Sequence, residues 1–341
     1  MPKTLRNKYY ENLSFEKLME AHKKARRGKG LRDEIIKFNL KQEEYIYYLL
    51  EVLSNKTYKH GGYEVFYVTE PKLRKIEKSR YIDRVVHRWL VDNFLEPYFV
   101  PSFINTSYAC IKGRGMHKAC LDVQKAMRSC KNKWGNYYIL KMDISKYFEN
   151  IDKRILLSIL EKKILDKNVM WLIKEILYSQ EKEVGLEIGN YTSQLFANIY
   201  LNEVDQYVKK ELGIKYYFRY LDDSVLLVKN KEEAKKCLSN IKNFLDLKLG
   251  LCLNKKTQIF KSKQGINFCG YKINENRLKL RDKGKRKLKK KVKKLKSSIK
   301  EGRLSSIEAK RFLSGHMGYI KIADTWTLEN KLFFREDNIV Q

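Results

Sequence analysis

Apolar positions along the chain repeat with two different periods. Over 13–55 the spacing is helical: Tyr45, Tyr48, Leu49 and Val52 fall at i, i+3, i+4 and i+7 and define one helix face. The aromatic and β-branched run Tyr-Glu-Val-Phe-Tyr-Val-Thr at 63–69 is expected to be a strand ended by Pro71. Helical spacing returns over 81–96 through Ile82, Val85, Val86, Trp89, Leu90 and Phe94. Segment 137–144 then predicts a strand that ends in an acid, followed by two helices over 153–177 and a third over 192–212. Residues 215–229 read as two strands joined at Leu-Asp-Asp-Ser, with a helix at 231–249 and short strands at 257–262 and 266–273. This order over 137–273 follows a β-α-β-β-α-β plan. From 281 onward the pattern narrows to one stripe, Leu288, Val292, Leu295 and Ile299, on a segment (283–300) in which eleven of eighteen residues are basic.

That basic segment belongs to a wider imbalance. The chain of 341 residues carries a formal net charge of +32, a self-repulsion that a polyanion would relieve. Nucleic acid is the expected partner and an anionic membrane surface the rival. No run approaches the roughly 18 apolar residues of a membrane span, and the N-terminus lacks the apolar core of a signal peptide. The expectation is therefore a cytoplasmic protein with no membrane partner. A hydrophobic content of 43% supports two or three packed units, and with four prolines and no Pro/Gly/Ser-rich linker these are expected to pack together. Six cysteines without a Cys-x-x-Cys pair favour reduced, mostly buried thiols over a zinc site.

The candidate chemistry lies at two acidic sites. Asp222 and Asp223 sit between Tyr216-Tyr217-Phe218 and Val225-Leu226-Leu227-Val228, where adjacent carboxylates repel each other and lose hydration. A divalent cation removes both costs. A polar β-turn is the alternative, because Asp is common at turns. Asp143 also ends an apolar strand, 79 residues before Asp222, so the two sites can meet only through the fold. If their strands are neighbours, three carboxylates converge. Two Mg²⁺ ions (Mn²⁺ being the alternative ion), about 3.5–4 Å apart, would then suit in-line phosphoryl transfer.

These residues resemble a known family. Asp143-Ile144-Ser145-Lys146-Tyr147-Phe148 and Tyr220-Leu221-Asp222-Asp223 resemble motifs A and C of reverse transcriptases. Ile188-Gly189-Asn190-Tyr191-Thr192-Ser193-Gln194 between them resembles motif B, and 249–257 resembles motif D. Ile266-Asn267-Phe268-Cys269-Gly270-Tyr271 is similar to the primer grip, and 80–86 with Ser107-Tyr108-Ala109-Cys110 to finger motifs. The resemblance runs from about 63 to 325. It implies an α+β, right-hand polymerase fold. The N-terminal extension and fingers would occupy 1–136, the palm 137–273 with interleaved helices at 150–190, and a basic helical thumb 274–341. It implies an RNA-directed DNA polymerase that binds dNTPs, template RNA and RNA–DNA hybrid. Metal would lie at Asp143, Ile144, Asp222 and Asp223.

The Ile-Gly-x-x-x-Ser-Gln form of motif B, where group II intron enzymes carry Gln-Gly-x-x-x-Ser-Pro, is similar to the enzymes of diversity-generating retroelements. So are Phe312-Leu313-Ser314-Gly315-His316 and Ala323-Asp324-Thr325. That likeness implies adenine-directed errors and a small basic accessory protein that forms a pentamer. An Arg often follows Tyr-Ala-Cys in that group; this chain has Ile111, with Lys112 and Arg114 just beyond.

Physical readings accompany each motif. Lys72, Arg74, Lys112 and Arg114 are candidates for phosphate contacts, solvated surface charge being the alternative. Phe148 can exclude a 2′-hydroxyl or be a core aromatic. Gly189 permits a close or left-handed turn that brings Ser193 and Gln194 toward the template, while Ile188 offers no side-chain hydrogen bond. Lys256, or its neighbour Lys255, can protonate the leaving pyrophosphate. The lysines of 283–300 can neutralise a duplex backbone. Phe268, Cys269, Gly270 and Tyr271 form the expected primer grip. Competing readings are an antiphage-defence or retron-type reverse transcriptase, a group II intron maturase, and a non-catalytic RNA-binding protein on a degenerate palm. The last predicts an eroded metal acid, and all three are present.

Overall fold

The computed structural model describes residues 4–70 and 72–334. In chain order the longer helices are α1 (Phe15–Ala25), α2 (Asp33–Leu40), α3 (Gln42–Ser54), α4 (Tyr81–Leu90), α5 (Met116–Trp134), α6 (Lys153–Glu161), α7 (Lys167–Leu177), α8 (Tyr191–Gln206), α9 (Lys231–Leu249), α10 (Asp282–Lys300) and α11 (Ser306–Ile320). The strands are β1 (Tyr63–Val68), β2 (Arg74–Ser79), β3 (Tyr138–Asp143), β4 (Tyr217–Tyr220), β5 (Asp223–Val228), β6 (Gln258–Lys261), β7 (Ile266–Phe268), β8 (Tyr271–Ile273) and β9 (Leu278–Leu280). The expected α+β class is borne out, with antiparallel pairing in each sheet. Pro71, the expected end of the first strand, lies outside the described residues, as does 335–341 of the expected thumb. Among the described residues no helix is long and apolar enough to cross a membrane.

The chain forms two compact units, each visited more than once. Unit 1 comprises Met1–Ile111, Asp143–Gly213 and Ser239–Lys255. Its helices α1 to α4 bury Leu18, Ile35, Phe38, Leu49, Val85, Val86 and Trp89. The face of α3 differs from the expected one. Ile46, Leu49 and Leu53 are buried, whereas Tyr47 and Tyr48 are exposed. The expected set and the buried set both have helical spacing and share Leu49; the hydrocarbons Ile46 and Leu53 take the core, and Tyr48 stays exposed. The helices expected over 153–177 are α6 and α7, each capped at its start by an Asp side chain, Asp152 and Asp166.

Unit 2 comprises Lys112–Met142, Ile214–Leu238 and Lys256–Gln341. It holds a four-stranded sheet in the order β4-β5-β3-β6, which puts the first and third strands of the motif side by side. A second sheet, β7-β8-β9, has three strands. Its first two occupy the stretch expected as one strand at 266–273. Cys269 (φ +46°) and Gly270 (φ +88°) turn the chain there, with Phe268 paired to Tyr271. Helix α5, whose stripe of Cys120, Val123, Met127 and Cys130 is buried, has no counterpart in the periodicity reading. In α10, Leu288, Val292 and Leu295 are buried and most of the lysines face outward, as the stripe predicts.

Two buried histidines make unit 1 sensitive to acid. His87 is 1% exposed, its ring centroid is 5.3 Å from that of His60, and Arg84 lies nearby. Burial, reinforced by these two neighbours, pushes its pKa down to about 3. Burial likewise pushes His22 down to about 4. A neutral buried imidazole stabilises the fold above the unfolded pKa near 6.5, and that contribution is lost as pH falls toward the folded value. Urea unfolding at pH 7 and pH 5 is expected to show His87 alone costing about 2 kcal/mol of stability at the lower pH. The difference should shrink in His87→Gln.

Candidate functional site

In unit 1 the residues that resemble motif B are tied to β2. The Glu77 amide donates to the Ile188 carbonyl over 2.9 Å. The buried Asn190 Oδ1 accepts from the Ser79 amide at 3.1 Å and the Ser79 hydroxyl at 2.5 Å. Between these anchors Gly189 has φ +130°, and a Cβ there would lie 3.0 Å from Ile76 Cγ2. The expected close turn before α8 is therefore present, and both conformation and space demand glycine. Ser193 is buried and Gln194 half-buried on the first turn of α8.

Ile188 and Arg74 line one cavity of about 290 Å³ together with Lys75, Glu77, Glu149 and Glu187. Lys75 is paired with Glu77 at 2.7 Å, whereas Arg74 has no ion-pair partner among the described residues. Its guanidinium is thus available to an anion. Lys72 is exposed and outside the lining. Of the adjacent aromatics, Tyr147 is the core residue, with its hydroxyl on the Ala197 carbonyl. Phe148 is half-buried, and its carbonyl accepts from the Leu186 amide at 2.7 Å. The end of β3 is held by the segment resembling motif D. The Asp143 carbonyl accepts from the Asn254 amide at 2.7 Å, and the Ser145 amide donates to the Cys252 carbonyl at 2.9 Å. The Ile144 side chain is buried and carries no donor atom, so any metal contact falls to its main chain.

In unit 2 the β4–β5 hairpin pairs Tyr220 with Asp223 and leaves Leu221 and Asp222 as the turn. Leu221 has φ +53°, a conformation that costs a bulky L-residue about 1–2 kcal/mol. Arg219, 2% exposed, holds it there by donating from Nη1 to the Leu221 carbonyl at 3.2 Å. Both acids stand half-buried at the head of β5, and β5 neighbours β3. Lys141, on β3, places Nζ 3.2 Å from Asp223 Oδ2 and 2.6 Å from the Asn267 carbonyl. Strand alternation puts Lys141 and Asp143 on one face.

Among the described residues no three His, Cys, Asp or Glu side chains are gathered into a group that could hold a metal ion.

The β7–β8 turn is backed by α11. The Tyr271 hydroxyl donates to the Tyr319 carbonyl at 2.7 Å and the two rings lie 4.5 Å apart. The Cys120 thiol donates to the Phe268 carbonyl at 3.7 Å. A hydrogen bond from the Cys269 thiol to the Cys120 sulfur, together with burial, raises the Cys269 pKa and keeps it neutral. Lys112 and Lys256 are exposed and Arg114 is half-buried. Lys141, Asn190, Arg219 and Tyr319 escaped the sequence reading. Only Lys141, two residues before Asp143, and Asn190, inside motif B, carried a positional signal.

A family model described as reverse transcriptase (RNA-dependent DNA polymerase) matches residues 68–273. The chain belongs to the reverse transcriptase family. Among curated relatives it is similar to Protein YkfC of Escherichia coli (strain K12), at 27% identity over 243 residues, 59% of this chain and 63% of that protein. It is also similar to the group II intron-encoded protein LtrA of Lactococcus lactis subsp. cremoris, at 24% over 309 residues, 69% of this chain and 50% of that protein. The chain therefore spans less than two thirds of the length of these relatives. A solved telomerase from Candida albicans, in complex with a TWJ fragment of telomeric RNA, has a TM-score of 0.49 and 14% identity. It covers 67% of this chain and 46% of that one. The reverse transcriptase match includes both acid-bearing strands, the Gly189 turn and the β7–β8 turn, and ends before α10.

Gly270→Ala tests the packing behind the last of these turns. A Cβ at Gly270 would lie 1.7 Å from the Tyr319 hydroxyl oxygen. The expected loss is about 2–3 kcal/mol in urea unfolding. Gly250→Ala, at φ +61° with open space around it, should lose only about 1 kcal/mol.

Proposed function

We propose that this reverse transcriptase copies template RNA into cDNA with Asp143, Asp222 and Asp223 as its metal-binding acids. The observation that carries the reading is the sheet order: the strand ending in Asp143 and the strand beginning at Asp223 are neighbours. Carboxylate oxygens suit Mg²⁺, which takes few protein ligands and completes its shell with water and substrate phosphates. The ammonium beside Asp223 supports a cation at this carboxylate. When bound, the ions supply activation of the primer 3′-hydroxyl and charge neutralisation at the triphosphate.

The chain's own groups do the remaining work. Arg74, with Lys72, Lys112 and Arg114, binds the triphosphate and template phosphates. Phe148 closes the space a 2′-hydroxyl would need. Lys256 gives a proton to pyrophosphate. The Phe268–Tyr271 turn holds the primer end, and the lysines of α10 hold the hybrid backbone. In this reading 1–136 carries the extension and fingers, 137–273 the palm and 274–341 the thumb.

The subtype follows from motif B. Ile188 puts a hydrocarbon on the cavity wall beside Arg74, where an amide would hold the template–nucleotide pair by hydrogen bonds. This supports the error-prone enzyme of a diversity-generating retroelement, working with a small basic pentameric partner.

The test is synthesis on the transcript flanking the gene, with Mg²⁺ and dNTPs, with and without a neighbouring basic accessory protein, followed by cDNA sequencing. Asp222→Asn is expected to abolish synthesis while RNA binding persists; undiminished synthesis would refute the metal assignment. Phe148→Ala should admit ribonucleotides. Errors opposite adenine should dominate in the wild type and fall in Ile188→Gln, and an unchanged error rate would sink the proposed role of Ile188.

A further inference from the structure

Lys141 joins two parts of unit 2 that the sequence keeps far apart. Its strand β3 lies inside the four-stranded sheet, where it pairs with Gln258 of β6. Its side chain, 20% exposed, reaches the Asp223 carboxylate, 30% exposed, at 3.2 Å. The same ammonium donates to the Asn267 main-chain carbonyl at 2.6 Å. Asn267 sits in the middle of β7, the edge strand of the other sheet, one residue before Phe268. Phe268 and Tyr271 close the two-residue turn. The next pair along the ladder, Asn267 with Lys272, is then the one whose main-chain groups point away from the partner strand. The Asn267 carbonyl is thus directed out of its own sheet, and the ammonium receives it.

We propose that Lys141 is a positioning residue that yokes the Asp223 carboxylate to β7, fixing the spacing between the metal-binding acid and the turn that grips the primer end. The inference rests on the reading of Asp223 as a metal-binding carboxylate and of 268–271 as the primer grip. Two consequences run in opposite directions. A cation already beside Asp223 lowers the negative potential there, so Lys141 weakens divalent-ion binding. The tether to Asn267 keeps the turn in register with the acid, so Lys141 strengthens the productive hold on a primer terminus. A side chain that merely stabilised the fold would not move these two quantities oppositely.

The full chain is compared as wild type, Lys141→Met, Lys141→Gln, Asp223→Asn and the Lys141→Met/Asp223→Asn double variant. Mn²⁺ binding without nucleotide is read from the electron paramagnetic resonance signal of the free ion. Primer extension on an RNA template with a recessed DNA primer yields KM for the primer end and kcat. Lys141→Met is expected to bind Mn²⁺ about threefold more tightly, the size set by a partly covered ion pair, while its primer-end KM rises. Lys141→Gln, neutral but still able to donate to Asn267, should share the tighter Mn²⁺ binding and keep a KM closer to wild type. In the Asp223→Asn background, removing Lys141 should leave Mn²⁺ binding where Asp223→Asn alone puts it. Unchanged or weaker Mn²⁺ binding in both Lys141 variants overturns the proposal, as does an unchanged primer KM in Lys141→Met. Asp223→Asn separates the two levels: if it neither weakens Mn²⁺ binding nor stops synthesis, the metal reading fails first.

Discussion

The placement of β5 beside β3 is the constraint on which the site depends. Asp143 and the Asp222–Asp223 pair are separated by three long helices in sequence, and no local interaction can bring them to one sheet. The order β4-β5-β3-β6 does so by inserting the hairpin strand between its own partner and the strand from the first acid. The hairpin meets a local cost in doing this: Leu221 adopts a left-handed backbone that glycine would take freely. A buried arginine bonded to its carbonyl maintains it. Strain of this kind, held by a surrounding network, is typical of positions where function sets the geometry.

Charge is the second organising theme. A chain with a net +32 still buries some charges, among them Lys153, Glu187 and Arg219. Lys153 is fully buried, donates to the Leu177 carbonyl at 2.5 Å and lies 3.8 Å from Glu187, the residue before Ile188. Burial lowers the Lys153 pKa and raises that of Glu187, the direction expected when both leave water. That pair anchors the approach to the motif B turn in unit 1 much as Lys141 anchors the acid hairpin in unit 2. Most of the remaining lysines, including most of those of α10, stay exposed, where they can exchange small counterions for a polyanion.

Much of this was legible in the sequence because its signals are local. The helices α6 to α9 and the strands β3 to β6 follow from spacing that is strong within each segment, and α10 follows from its apolar stripe. The acids were legible as chemistry because adjacent carboxylates in an apolar run are costly unless a cation meets them. The readings that shifted were those where two periodic patterns compete. In α3 the expected set Tyr45, Tyr48, Leu49 and Val52 and the buried set Ile46, Leu49 and Leu53 both have helical spacing, and the packing of whole helices decided which is buried. At 266–273 the apolar positions Ile266, Phe268, Tyr271 and Ile273 hid a turn, because Cys269 at positive φ is uncommon outside the context of the packed Tyr271 and Tyr319 rings.

The sequence by itself determined most of the elements, the α+β class and the family motifs, since each depends on residues close together in the chain. The tertiary structure alone decided which strands are neighbours, that Lys141 meets both Asp223 and Asn267, that Asn190 rivets motif B to β2, and that Tyr319 backs the β7–β8 turn. These contacts join residues from 48 to 126 positions apart. Their pairing is set by how whole faces pack, and no periodicity within a single segment encodes that choice.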